Sequence, residues 1–272
     1  MICIAIPDSS FVDEDSLRGK TIKSGYIARA ASVFGVERIY IYRDPSGNFD
    51  RDYDIARAVL EYAETPQYLR KRLVRKRSDL EFVGLLPPLK IPHHQKSPEI
   101  ALREIREAAL VEQNNQLMAD VGARELADFE GKGQAGKRVT VEVSSISPLK
   151  VASSSKPHTV YWGYEVRRAP TLGRFLRGAD FDFIILTSRL GKPLNQFLHE
   201  FEEKVKGAKK VIVCFGSPDK GIPELFKLEH ASEADLRNAL MINAFPHQNT
   251  ETVRLEEAIF GFLGILNLSI QP

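Results

Sequence analysis

Between Leu85 and His94 the chain reads LLPPLKIPHH, and three prolines in six residues forbid regular helix there. The segment parts two rhythms. Ahead of it, the apolar run 1–7 (MICIAIP) predicts a buried strand, and Asp13-Glu14-Asp15-Ser16 opens a helix that runs to about Phe34 and stops at Gly35. Residues 36–42 (VERIYIY), β-branched and aromatic, predict a second strand. Residues 49 to about 63 follow as a helix, with Ile55, Val59, Leu60 and Tyr62 on its apolar side. Behind the prolines the pattern changes. Residues 107–112, 116–121, 138–143 and 159–167 read as short strands, with a glycine-rich turn at 131–136. About 75 residues of such strands make an OB-sized barrel or sandwich, and such barrels commonly bind nucleic acid.

After Pro170 the first rhythm returns. Strands are predicted at 181–186 (FDFIIL), 210–215 (KVIVCF) and 240–243 (LMIN). Helices are predicted at 194–205, in short pieces at 222–226 and 233–238, and from 248 to about 267. The economical reading is one α/β domain in two stretches, 1–92 and 169–272, with a small β module at 93–168 between them. A length of 272 residues suits one domain of about 150–200 residues plus a smaller one. With 43% hydrophobic and 27% charged residues, the chain can bury a sizeable core.

Several classes are disfavoured. No apolar run approaches the roughly 18 residues that span a bilayer. The opening MICIAIPDSS lacks the basic and small-residue features of a signal peptide. Cys3 and Cys214 sit inside apolar runs with no CxxC pair, as core thiols of a reducing compartment do. A cytoplasmic protein is expected. No GxGxxG follows the first strand and no GxxxxGK[ST] occurs, which argues against common nucleotide-binding folds.

A net charge of +2 leaves partners to local charge. Arg70-Lys71-Arg72-Leu73-Val74-Arg75-Lys76-Arg77 holds six cations in eight positions, enough to neutralise several phosphates of an RNA. Leu69, Leu73 and Val74 at helical spacing predict a folded, packed segment; a solvated helix face is the alternative. His93-His94 invites a metal reading, but adjacent residues of an extended segment point to opposite faces and no third ligand is near. No metal is expected. Tyr161, Trp162 and Tyr164 suit either base stacking or the core of the small barrel.

Three segments at or near strand ends carry chemistry, where open α/β sheets bind ligands. GSPDKGIP at 216–223 is a tight loop whose glycines allow close backbone approach. Residues 243–254 (NAFPHQNTETVR) gather polar groups ahead of a long helix, and Arg29 stands among small and apolar helix residues in GYIARAASVFG. Together the three segments resemble the motifs of the SPOUT superfamily, the trefoil-knotted RNA methyltransferases that use S-adenosylmethionine (SAM). Over its full length the chain resembles an archaeal and eukaryotic branch with PPLKIPHH-like and TVRxEEAI-like strings and an OB-like insertion.

That resemblance implies a SPOUT-type α/β trefoil-knot domain with an inserted small OB-like β-barrel, an obligate homodimer, and an RNA substrate, ribosomal RNA foremost. It also implies that SAM is held by three loops. Leu186, Thr187 and Ser188 belong to the first, and Gly216, Ser217, Pro218, Asp219, Gly221 and Ile222 to the second. Ile242, Asn243, Phe245, Pro246, Gln248, Thr252 and Val253 belong to the third. Arg29 becomes the catalytic candidate, orienting phosphate or base, since a guanidinium rarely gives up its proton. Arg70, Lys71, Arg72, Arg75, Lys76 and Arg77 become the RNA contacts. Two departures stand out: Pro218 replaces the glutamate usual in the second motif, and Thr250-Glu251-Thr252 replaces Ser-x-Asn in the third. They disfavour a ribose 2′-O target and leave a non-catalytic RNA-binding or ribosome-assembly factor as the alternative.

Overall fold

The computed structural model describes residues 1–95 and 98–270. The first stretch supplies β1 (Ile2–Pro7), α1 (Leu17–Val33), β2 (Val36–Arg43), α2 (Asp50–Glu64) and a single turn, α3 (Arg70–Leu73). Five strands follow: β3 (Ile105–Gln113), β4 (Gln116–Asp120), β5 (Ala127–Glu130), β6 (Arg138–Ile146) and β7 (Leu149–Ser153). The chain then runs through β8 (Glu165–Thr171), α4 (Leu172–Arg177), β9 (Phe183–Pro193), α5 (Leu198–Gly207), β10 (Val211–Cys214), α6 (Ile222–Leu228), β11 (Ala239–Asn243) and α7 (Leu255–Ser269).

Six strands make one sheet in the order β11-β9-β10-β1-β2-β8, every neighbouring pair parallel. Parallel sheets bury both faces, which is why these strands read as continuous apolar runs. Ile4, Ile6, Val211 and Val213 face α1, α2, α5 and α7. Cys3, Ala5, Ile212 and Cys214 face α4 and α6. Burial pushes the Cys3 thiol up to about 12 and that of Cys214 higher still, so both stay protonated and inert. The remaining strands close a barrel, β3-β4-β5-β7-β6, around Ala108, Leu110, Ala119, Val121, Val141, Val143 and Val151. The α/β fold with an inserted closed barrel is as expected. No helix among the described residues is long and apolar enough to cross a membrane.

Several local expectations are corrected. The strand expected over 159–167 begins at Glu165 and pairs with β2 in the sheet rather than with the barrel. The return to the sheet therefore precedes Arg168, and the insertion expected over 93–168 ends short of β8. Ahead of β8, Gly163 sits at φ +84°, and a Cβ there would come within 2.4 Å of Glu64 and 2.7 Å of His93. The flanking aromatics are not free to stack bases. Tyr161 and Tyr164 donate to the carbonyls of Val36 and Leu60, and Trp162 Nε1 donates to Glu107 Oε1 at 2.6 Å.

The basic helix stops at Leu73, because Val74 turns extended and Arg70 leaves the helix face to stack on Tyr62 and donate to the Thr65 carbonyl. The final helix starts at Leu255, seven residues later than expected. The Gln248 side chain donates instead to the carbonyls of Thr250 and Glu251 and shapes a loop. His93 and His94 do not point apart. Their turn brings both Nε2 atoms to the Glu64 carbonyl oxygen, at 3.1 and 2.7 Å.

Those histidines belong to the joint between sheet domain and barrel. The Glu64 carboxylate accepts from Arg138 Nη1 at 2.5 Å and Nη2 at 3.1 Å, and Arg138 Nε donates to Glu107 at 2.5 Å. Glu107 also accepts from Thr140 and Trp162. Burial raises the Glu64 carboxyl's affinity for its proton, but His93 and Arg138 outweigh it and hold the group below its ordinary range.

Candidate active site

A bulge of β9 at 187–191 and the carboxyl ends of β10 and β11 converge on a cavity of about 570 Å³; the strand expected to end at Leu186 runs on to Pro193. Its first wall is 187–190, where Thr187 Oγ1 donates to the Cys214 carbonyl at 2.8 Å and Ser188 Oγ accepts from Leu190 N at 3.2 Å. The second is 215–221. Ser217 N donates to the Lys220 carbonyl at 2.8 Å, and Lys220 N donates back to Ser217 Oγ at 3.0 Å. This closure demands glycine at 216, where a Cβ would lie 2.9 Å from the Lys220 oxygen and 3.0 Å from Gly221 Cα. Gly221 is less constrained, since a Cβ there meets the movable Glu224 carboxylate first.

The third wall is 242–253. Asn243 ties it to the first by donating from Nδ2 to the Arg189 carbonyl at 3.1 Å, while its Oδ1 accepts from Phe245 N at 3.0 Å. Phe215, Ile242 and Phe262 are buried and make an apolar floor. Around the rim stand Asp13, Asp219, Glu224 and Glu251, against Arg189 and Arg254. The excess of carboxylates makes the cavity electronegative, the right sign for a cationic ligand.

The structure brings together residues from all three loops named from the sequence: Thr187, Ser188, Gly216, Ser217, Pro218, Asp219, Gly221, Ile242, Asn243, Phe245, Gln248, Thr252 and Val253. Leu186, Ile222 and Pro246 do not line the cavity; the first two are fully buried in the core of the α4/α6 face. Arg29 stands elsewhere, its Nη1 donating to the Leu89 carbonyl at 2.8 Å. Sequence reasoning missed Asp13, read as a helix-start signal, and the α7 residues Leu255, Ala258 and Phe262. The 3-and-4 spacing of those α7 residues marks one helix face and was legible once the helix start was placed correctly.

Among the expected RNA contacts, Arg72 pairs with Asp120 at 3.0 Å and Arg77 with Asp79 at 2.5 Å. Arg70 is spent on α2. Lys71, Arg75 and Lys76 remain exposed without a polar side-chain partner among the described residues.

A family model described as "Putative RNA methyltransferase" matches residues 1–266. The chain belongs to this family of RNA methyltransferases. The methyltransferase is 31% identical to an uncharacterized protein of Haloarcula marismortui, over 98% of each chain. It is 30% identical to the 28S rRNA (uridine-N(3))-methyltransferase of Homo sapiens, over 97% of this chain and 77% of the human one. Against the fly protein of that name, from Drosophila melanogaster, identity is 26% over 100% of this chain and 62% of the other. A solved methylase family protein from Neisseria gonorrhoeae covers 100% of this chain and 85% of its own with a TM-score of 0.39 at 10% identity, too loose a likeness to add to the assignment. The SPOUT resemblance drawn from three motifs is thereby borne out, and the enzyme reading stands over that of a non-catalytic factor.

Proposed function

We propose that this enzyme transfers a methyl group from SAM to N3 of a uridine in large-subunit ribosomal RNA. The observation that carries the proposal is the cavity walled by a bulge of β9 and the loops after β10 and β11, in a chain of an RNA methyltransferase family with relatives named for uridine N3 of 28S rRNA. Its residues fit SAM. Phe215, Ile242 and Phe262 offer a dry surface to adenine, backbone groups of 215–221 and 242–253 offer hydrogen bonds, and the acidic rim suits a sulfonium. When bound, SAM supplies an activated methyl group, leaving the protein to align the acceptor and manage one proton.

The knot implied by the motifs draws support from the pairing of β9 with β11, which jumps from Met241↔Leu186 to Ile242↔Lys192, so that 187–191 bulge out and return at Gly191, where a Cβ would lie 2.6 Å from the Ile242 backbone. Homodimerisation draws support from α1, which exposes Ile22, Tyr26 and Val33 along one face, and from Leu268 near the end of α7. Arg29 follows the same helical spacing as that face, so in a dimer it stands at the interface, where it can orient RNA for the partner. Lys71, Arg75 and Lys76 serve the RNA backbone.

Titration calorimetry with SAM tests the cofactor: one site per protomer is expected, and no heat overturns it. Mass spectrometry of ribosomal RNA nucleosides from a strain lacking the gene tests the target. Loss of 3-methyluridine is expected, and an unchanged nucleoside profile removes the assignment.

A further inference from the structure

Lys23 is fully buried in α1, at 1% side-chain exposure, a costly place for an ammonium. Its Nζ lies 2.6 and 2.7 Å from the two carboxylate oxygens of Asp13 and 3.6 Å from Oε2 of Glu256 on α7. Two carboxylates against one ammonium leave the cluster a net negative charge. Asp13 lines the cavity and keeps 30% of its side chain exposed, so its outer edge is open to a ligand. The other carboxylates of the rim, Asp219, Glu224 and Glu251, have no side-chain hydrogen bond or ion pair among the described residues. Asp13 is thus the one rim carboxylate held in place by an ion pair. It comes from the β1–α1 connection, outside the three segments assigned to SAM.

We propose that Asp13 is the catalytic residue that accepts the N3 proton of the acceptor uridine, with Lys23 as its positioning residue; this rests on the uridine N3 reading above. An imide N–H is a poor nucleophile until its proton leaves, and a fixed carboxylate meets that need. The N3 proton passes to the Asp13 carboxylate, and the freed N3 lone pair forms the bond to the methyl carbon. The carbon–sulfur electron pair stays on sulfur as a neutral thioether. Asp13 then releases its proton to solvent through its exposed edge. Lys23, itself placed beside Glu256, holds the carboxylate against rotation.

Asp13→Asn, assayed on a uridine-bearing RNA hairpin, tests this. SAM affinity and melting temperature are expected to hold while kcat falls about 10²–10⁴-fold. In the variant log kcat should rise with pH at close to unit slope, as N3 loses its proton to solvent instead. Hairpins with 5-fluorouridine at the target, whose N3 is more acidic, should recover much of the loss. Binding gives a readout without turnover: the wild type should prefer a uridine hairpin to its 3-methyluridine counterpart about tenfold, and Asp13→Asn should lose most of that preference. Should Asp13→Asn unfold, Asp13→Glu keeps the ion pair and displaces the carboxylate, with kcat expected to fall at least tenfold and the wild-type pH profile retained. Full kcat in either variant, or a loss with neither pH dependence nor fluorouridine rescue, overturns the role of Asp13. A wild type that binds SAM but leaves uridine unmethylated overturns the function reading itself.

Discussion

In the sheet, Ile4, Ile6, Val211 and Val213 meet helices through apolar contacts that another side chain of similar volume can supply. At the joint to the barrel, Glu64, Glu107 and Arg138 meet through a handful of charged atoms at 2.5–3.1 Å, with His93, His94 and Trp162 around them. Both regions are buried, but apolar burial is non-directional and contributes stability by area. The ionic joint costs desolvation and returns orientation, because a guanidinium bridging two carboxylates allows few geometries. The barrel's position over the sheet domain therefore depends on far fewer atoms than the fold of either part.

The largest test of that contrast is Arg138→Ala, which leaves the Glu64 and Glu107 carboxylates buried without their bridge. A loss of about 3–5 kcal/mol is expected in urea denaturation. A loss below about 1 kcal/mol would mean that the joint is solvated and the contrast false.

Acid should sharpen the comparison, because the two regions titrate in opposite senses. Burial lowers His94 from 6.5 to about 4, so it is neutral when folded at neutral pH. The unfolded chain binds that proton more readily, and its contribution is present above pH 6.5 and lost as pH falls toward 4, by about 3 kcal/mol in all. His94→Gln, which keeps a donor for the Glu64 carbonyl, should flatten that limb of the stability curve. Hydrogen exchange at pH 5 should rise first at the α2 terminus and the barrel strands facing it.

Asp8, at the end of β1, behaves the other way. Burial raises its carboxyl from 3.8 to about 6, while its Oδ1 accepts from Asp44 N at 2.9 Å. Protonation is favoured in the fold, so its stabilising contribution is complete below pH 3.8 and lost as pH rises through 6. Asp8→Asn keeps the acceptor and carries no charge. It should exceed the wild type by about 2–3 kcal/mol at pH 8 and match it near pH 3.

The smallest effect on the fold separates two kinds of cation in one run. Replacing Lys71, Arg75 and Lys76 by alanine should flatten the salt dependence of RNA binding by about two units of slope, with stability unchanged within about 0.5 kcal/mol. Arg70→Ala should instead destabilise the end of α2, since Arg70 stacks on Tyr62 and donates to Thr65. Equal slopes for both variants would mean that the run binds phosphates as one undivided patch.

What was legible in the sequence was whatever is encoded locally. Runs such as VIVC and FIIL declare strands buried on both faces, and Gly35, at φ +67°, ends α1 where a helix stop was expected. Two of the three segments around the cavity were legible for a related reason: they follow the ends of β10 and β11 directly, and a parallel sheet presents strand ends together. Tertiary structure alone decided the pairings between distant residues. Periodicity cannot say that Trp162 spends its N–H on Glu107, that Arg72 and Arg77 are neutralised by Asp120 and Asp79, or that residues 165–171 join the sheet. Nor can it say that Asp13, ten residues before Lys23 in the chain, is held by that buried ammonium at the edge of a cavity built mostly from residues 187–262. A side chain's hydrophobicity is its own property, but the partner that satisfies its charge is chosen by the folded chain.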